Sequence, residues 1–340
     1  MAGKSGIQLK HSPVSDMTHT PKTPRAEELH TPVMLDECIE YLAPALTGDR
    51  PVVVDATLGM GGHTEALLRR FASLTVIGLD RDQQALQLAG ARLAEFGDRF
   101  IPVHSVFDGF ADAVAAAGFN RIDGALFDLG VSSLQLDDAD RGFAYAQDAP
   151  LDMRMDQSAG RTAADLIAEA SEQELADIFR THGDEPLAKR YARAIVAERG
   201  SAPVVSSAQL VDILQEATPA KLKSQRHPAK RVFQALRVAV NNELEAIAGA
   251  VPQALELLRV GGRIVVMSYQ SHEDRIVKRL LVEASSSTAP RGLPVELPEH
   301  QAEFRLLTRG AQRANQTEQT ANPRAIPARL RAAERVKEAS

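Results

Sequence analysis

Apolar and polar positions along the chain change period several times, and the changes divide it into elements. Residues 1–29 mix Lys, Ser, Thr, His and three prolines with few apolar residues and no periodicity. A segment of that kind cannot bury enough surface to offset its ordering entropy, which predicts a disordered tail. From His30 the pattern changes: Leu35, Ile39 and Leu42 follow helical spacing, and residues 51–55 (Pro-Val-Val-Val-Asp) read as a short, fully buried strand. Further apolar runs at 75–80, 99–104 and 122–128 read as strands, separated by helical stretches such as 65–71 and 83–96. Strands alternating with helices of this length predict βαβ units: an α/β fold with a doubly wound, mostly parallel sheet.

The fifth apolar strand, 262–268, comes only after a helical stretch at 244–258. Between Asp128 and that helix lie more than a hundred residues with little strand character. Ser171 and Glu174 form a capping box ahead of Leu175, Ile178, Phe179 and His182 at i, i+3, i+4, i+7 spacing. Ser206 and Gln209 form a second, ahead of Leu210, Ile213, Leu214 and Ala217. We expect a helical substrate-binding insert at 139–236 within a ligand-binding domain made of 30–138 and 237–340. Runs at 304–308 and 328–335 are expected to close the sheet as edge strands.

Composition narrows the class. With 44% hydrophobic residues in 340, the chain can build a real core, which excludes collagenous, coiled-coil and wholly disordered proteins. The single Cys38 forms no internal disulfide and leaves no thiolate cluster for zinc or iron–sulfur, so no metal is expected and Cys38 reads as a small buried hydrophobe. No apolar run approaches the roughly 18 residues of a spanning helix, and a cytoplasmic protein without membrane contact is expected.

Net charge is −6, but it is segregated. Residues 217–242 hold Lys221, Lys223, Arg226, Lys230, Arg231 and Arg237 with no acid, and residues 309–340 carry +4, so the rest of the chain carries −16. Segregation of this kind steers a polyanion along one path, although a set of solvated helix faces accounts equally well for charge alone.

After the first strand the chain reads Asp55-Ala-Thr-Leu-Gly-Met-Gly-Gly-His63-Thr64 and opens into a helix. Glycines at 59, 61 and 62 let backbone approach a ligand at the helix N-terminus. Asp80 ends the next strand, nineteen residues beyond Gly61, where a carboxylate accepts both hydroxyls of a ribose. NAD and S-adenosylmethionine both fit so far. Thr64 stands where a dinucleotide fingerprint wants a third glycine, and a carboxylate near the loop repels pyrophosphate while suiting an ammonium group.

Residues 128–143 (Asp-Leu-Gly-Val-Ser-Ser-Leu-Gln-Leu-Asp-Asp-Ala-Asp-Arg-Gly-Phe) and 150–156 (Pro-Leu-Asp-Met-Arg-Met-Asp) closely resemble the RsmH (MraW) family. The likeness runs from 30–37 through the glycine loop and 227–237 (His-Pro-Ala-Lys-Arg-Val-Phe-Gln-Ala-Leu-Arg) to Asn322-Pro-Arg324. Members are bacterial enzymes that methylate N4 of a cytidine in the decoding region of small-subunit ribosomal RNA. The resemblance implies a class I S-adenosylmethionine-dependent methyltransferase fold. It sets the cofactor against Gly61, Gly62, His63, Asp80, Phe107, Asp128 and Gln135. The implied partner is small-subunit ribosomal RNA or the assembled subunit, with room for a homodimer.

Each of those positions also has a chemical reason. Phe107 follows the third strand and can lie against an adenine face. Asp128 and Gln135 flank the carboxyl ends of the strands, where open α/β sheets bind ligands. Asp128 is also the candidate catalytic acceptor for a hydrogen of N4. Lys230 and Arg231 are the candidate RNA phosphate contacts. One segment departs from the family pattern: Ser-Phe-His-Ser-Leu-Glu-Asp-Arg is expected after the fifth strand, and 268–275 read Ser-Tyr-Gln-Ser-His-Glu-Asp-Arg. Gln270 replaces a histidine, and His272 is expected to face solvent.

Overall fold

In the computed structural model, which describes residues 32–223, 227–290 and 297–338, seven strands form one sheet. They are β1 (Val52–Asp55), β2 (Thr75–Asp80), β3 (Phe100–His104), β4 (Ile122–Asp128), β5 (Leu258–Ser268), β6 (Phe304–Leu306) and β7 (Arg329–Arg335). The expected tail, His30 and Arg226 lie outside the described residues. Strand order is β3-β2-β1-β4-β5-β7-β6; β1 to β5 pair in parallel, and β7 runs antiparallel to both of its neighbours. The order reverses between β1 and β4, and at such a switch point the carboxyl ends of the strands splay into a ligand crevice.

The strands read as continuous apolar runs because both faces of the sheet are covered. Val53, Leu126 and Val265 point to the face packed by Leu67, Leu68, Ala89 and Leu93, from the helices Gly62–Arg70 and Gln83–Leu93. Val54, Phe127 and Val266 point to the other face, against Phe110, Ile247, Val251 and Val277. Cys38 is buried in the first of these layers, its Sγ 3.7 Å from Met267 Sδ, as a small hydrophobe should be.

Two strand expectations need correction. The run at 328–335 is not an edge: β7 inserts between β5 and β6, and of the two only β6 is an edge strand. Its place depends on a long-range antiparallel pairing that local pattern does not encode. β5 also begins at Leu258, four residues before the apolar run, with a register shift opposite Ile122 and Gly124.

Residues 143–236 gather a buried cluster of their own, in which Leu175, Phe179, Tyr191, Ile195, Leu210 and Phe233 meet. Both expected capping boxes form: Ser171 Oγ accepts from Glu174 N at 3.2 Å and Ser206 Oγ from Gln209 N at 3.4 Å. The helix Ala229–Asn241 runs unbroken across position 236 and carries side chains from this cluster to the mouth of the crevice.

Candidate active site at the carboxyl ends of the strands

The loop after β1 is held by its own side chains. Asp55 Oδ2 accepts from the Thr64 hydroxyl at 2.7 Å and Oδ1 from Thr57 N at 3.2 Å, which locks the strand-to-helix turn. Asp55 is buried beneath the loop and is not on the cavity wall, so it is not offered to a ligand's ammonium group. Gly61 caps the helix Gly62–Arg70 with φ of +78°, a conformation that disfavours any side chain. A Cβ there would also meet Leu93 Cδ1 at 2.9 Å, so Gly61 shapes the loop from behind while Gly59, Gly62 and His63 line the crevice.

The loop is tied in turn to the end of β2. Asp80 Oδ2 accepts from Gly59 N at 2.8 Å and Oδ1 from Asp82 N at 2.9 Å, which leaves the second lone pair of each oxygen for a ligand hydroxyl. Burial pushes the Asp80 carboxyl up to about 6. Phe107 lines the same cavity, edge-on to Phe127 and with the Arg81 guanidinium 5.7 Å from its ring centre. Gln135 lines it too and donates to Asp82 Oδ2 at 3.2 Å. That oxygen also receives Arg141 Nη1 at 3.0 Å, and Arg141 Nη2 reaches the Met155 carbonyl at 2.8 Å. A buried Arg141–Asp82 pair thus fastens the acidic segment 137–156 to the wall that holds Gln135.

Asp128 stands at the centre. Its backbone N donates to Thr57 Oγ1 at 2.6 Å, and its Oδ1 accepts from the Tyr269 hydroxyl at 2.6 Å. Its Oδ2 is 3.9 Å from His63 Nδ1, while His63 Nε2 sits 3.0 Å from the Val33 carbonyl. Burial raises the Asp128 carboxyl above its ordinary range, with His63 and Tyr269 pulling it back down. Thr57 and Tyr269 are site residues that local sequence pattern does not mark. The one visible signal was a tyrosine where the expected family segment has phenylalanine, since the added hydroxyl is the one that reaches Asp128.

The far wall comes from the helix Ala229–Asn241 and the start of the helix Ser271–Ala284. Gln270 Oε1 accepts from Gln234 Nε2 at 2.7 Å, which ties the two elements of this wall together. Glu273 Oε2 accepts from Tyr269 N and Gln270 N at 2.8 and 3.0 Å, and burial pushes its carboxyl up to about 7. His272 does not face solvent: it is largely buried, with Nε2 3.3 Å from Asp184 Oδ1.

The basic stretch divides. Lys230 is exposed and lines the cavity mouth, whereas Arg231 is half-buried and donates to the Asp184 carbonyl. Arg237 makes a two-pronged pair with Glu243 at 2.8 and 2.9 Å. Near the C-terminus, Arg331 and Arg329 pair with Asp274, Arg335 with Glu303 and Arg324 with Asp137. Part of the segregated positive charge, Arg237 and four C-terminal arginines, is therefore paired with carboxylates. The cavity as a whole is about 520 Å³, runs from the glycine loop to Lys230, and is lined by Gly62, His63, Asp80, Phe107, Asp128 and Gln135.

Residues 27–336 match the model of the MraW methylase family. The chain belongs to that family. Similar proteins include the ribosomal RNA small subunit methyltransferase H of Kocuria rhizophila, 57% identical over 92% of this chain and 96% of that one. The protein of the same name from Clavibacter michiganensis is 58% identical over 92% and 98%. Among solved structures, an rRNA methylase from Streptococcus thermophilus aligns over 88% of this chain and 95% of that one, with TM-score 0.41 and 16% identity. As a family member the chain is a methylase, with S-adenosylmethionine as the expected cofactor. The site fits that group: backbone bared by glycines, a carboxylate with free lone pairs at Asp80 and an aromatic ring at Phe107 share one cavity with Asp128. Among the described residues no helix is long and apolar enough to cross a membrane, and no cluster of His, Cys, Asp and Glu could hold a metal ion.

Proposed function

We propose that the chain methylates N4 of a cytidine in the decoding region of bacterial small-subunit ribosomal RNA. The observation that carries this is the Asp128 carboxylate, positioned by Thr57 and Tyr269 in the one cavity that the glycine loop and Lys230 also line. The names borne by relatives at 57 and 58% identity support the RNA substrate.

The bound cofactor supplies an electrophilic sulfonium methyl for a single in-line displacement. The protein must hold the acceptor nitrogen in line and improve it, because the N4 lone pair is delocalised into the cytosine ring. A carboxylate oxygen of Asp128 accepts a hydrogen of the N4 amino group, which lets the nitrogen pyramidalise and takes up its developing positive charge. Burial suits the role, since a carboxylate with a raised pKa is the stronger proton acceptor. Tyr269 keeps one oxygen occupied and so leaves Oδ2, on the His63 side, for substrate. Gln270 contributes no proton acceptor of its own; its amide braces the Gln234 wall. Lys230 at the mouth meets an RNA phosphate, with Arg231 beside it on the same helix.

Asp128→Asn tests the assignment. Turnover should fall about 100-fold or more while S-adenosylhomocysteine binding by calorimetry changes little. Unchanged turnover would remove Asp128 from the chemistry.

A further inference from the structure

Tyr145 on the cavity wall forms an aromatic pair with His227 that the methyl-transfer chemistry leaves unused. Tyr145 lies within the acidic segment, half-buried on the cavity wall. Its ring stacks on that of His227, with centroids 4.6 Å apart and planes 26° apart. Phe233 closes on Tyr145 edge-on at 5.8 Å and pins it from the insert's core. His227 is exposed, and it is fixed by its place at the start of the helix Ala229–Asn241, where its Nδ1 accepts from Ala229 N at 3.3 Å. Lys230 is the second residue of that helix, its backbone N bonded to the His227 carbonyl. Two rings pinned in register, open to solvent on one side and flanked by an exposed ammonium, match what an unpaired nucleotide needs: a π-face for the base and a cation for the phosphate.

We propose that Tyr145 and His227 form the stacking platform for an unpaired base of the RNA strand at the entrance to the active site, with Lys230 on the adjoining phosphate. The inference deepens the RNA reading above and rests on it. A duplex or a folded particle surface must open to admit one base, and a stacking surface at the mouth replaces the neighbour that the strand loses. The alternative occupant, the side chain of a ribosomal protein, would use the same apolar surface without needing π-stacking.

Methyl transfer from labelled S-adenosylmethionine to small subunits lacking the modification, with wild type, Tyr145→Phe, Tyr145→Leu and His227→Ala, separates the readings. Loss of one base stack costs roughly tenfold to a hundredfold in binding. Tyr145→Leu and His227→Ala should raise KM for the particle by about tenfold or more, while Tyr145→Phe, which keeps the ring, stays near wild type. S-adenosylhomocysteine affinity should not change in any of them. Because His227 is exposed, its variant guards against a folding artefact at Tyr145. A KM unchanged in both ring-removing variants overturns the platform. So does a Tyr145→Phe variant as impaired as Tyr145→Leu, since that result assigns the effect to the hydroxyl. Failure of the wild-type enzyme to methylate the particle at all would instead overturn the RNA reading itself.

Discussion

At the scale of single residues, the site is a set of carboxylates whose roles are separated by what holds them. Asp55 is buried and bonded within its own loop, Asp80 accepts from two backbone N–H groups and faces the cavity, and Asp128 faces it with one oxygen held by a tyrosine hydroxyl. The Tyr269 hydrogen bond stabilises the charged form of Asp128. Tyr269→Phe should therefore lower turnover and move the acid limb of the kcat–pH profile to higher pH, because the unpaired carboxylate protonates more readily. A limb that stays in place or moves down would show that Asp128 does not control it. Asp80, pushed up to about 6 by burial, binds ribose hydroxyls best as the carboxylate. Cofactor affinity should accordingly rise with pH through about 6, and Asp80→Asn should both weaken binding and flatten that dependence in calorimetric titrations.

At the scale of elements, the reading from sequence succeeds where one face or one turn decides the outcome. β2 and β4 appear where their apolar runs stand, because burial on both faces writes itself into every position. The capping boxes at Ser171 and Ser206 need only four residues each. What local pattern misses is set by partners far along the chain. The interior place of β7 depends on pairing across to Val265 and Met267 of β5, and Arg231 and Arg237 look like free cations until the Asp184 carbonyl and Glu243 appear beside them. The Arg141–Asp82 pair spans 59 positions and joins the acidic segment to the helix that begins at Gln83. Removing one partner leaves the other charge buried alone, so Arg141→Ala should destabilise the fold by about 3–5 kcal/mol in denaturant titrations and loosen cofactor binding through Gln135. A variant as stable as wild type would show that the segment is held by other contacts.

At the scale of the whole molecule, the cavity unites two parts of the chain with different work. The sheet presents the glycine loop, Asp80, Phe107 and Asp128 from its carboxyl edge, while the helix Ala229–Asn241 brings Lys230 and Gln234 across from the helical cluster. All the expected cofactor residues converge there, with Gly61 acting from behind. The charge map read from sequence is altered more. The C-terminal arginines are largely spent on Asp274, Glu303 and Asp137, so the cation offered at the cavity mouth is chiefly Lys230. The central claim is the identity of the methylated atom. Small subunits lacking the modification should be incubated with the protein and labelled S-adenosylmethionine, then digested to nucleosides and resolved by mass spectrometry. Label recovered as N4-methylcytidine from the decoding region is the predicted result, and label on a ring carbon, on another base or on a ribosomal protein would contradict it.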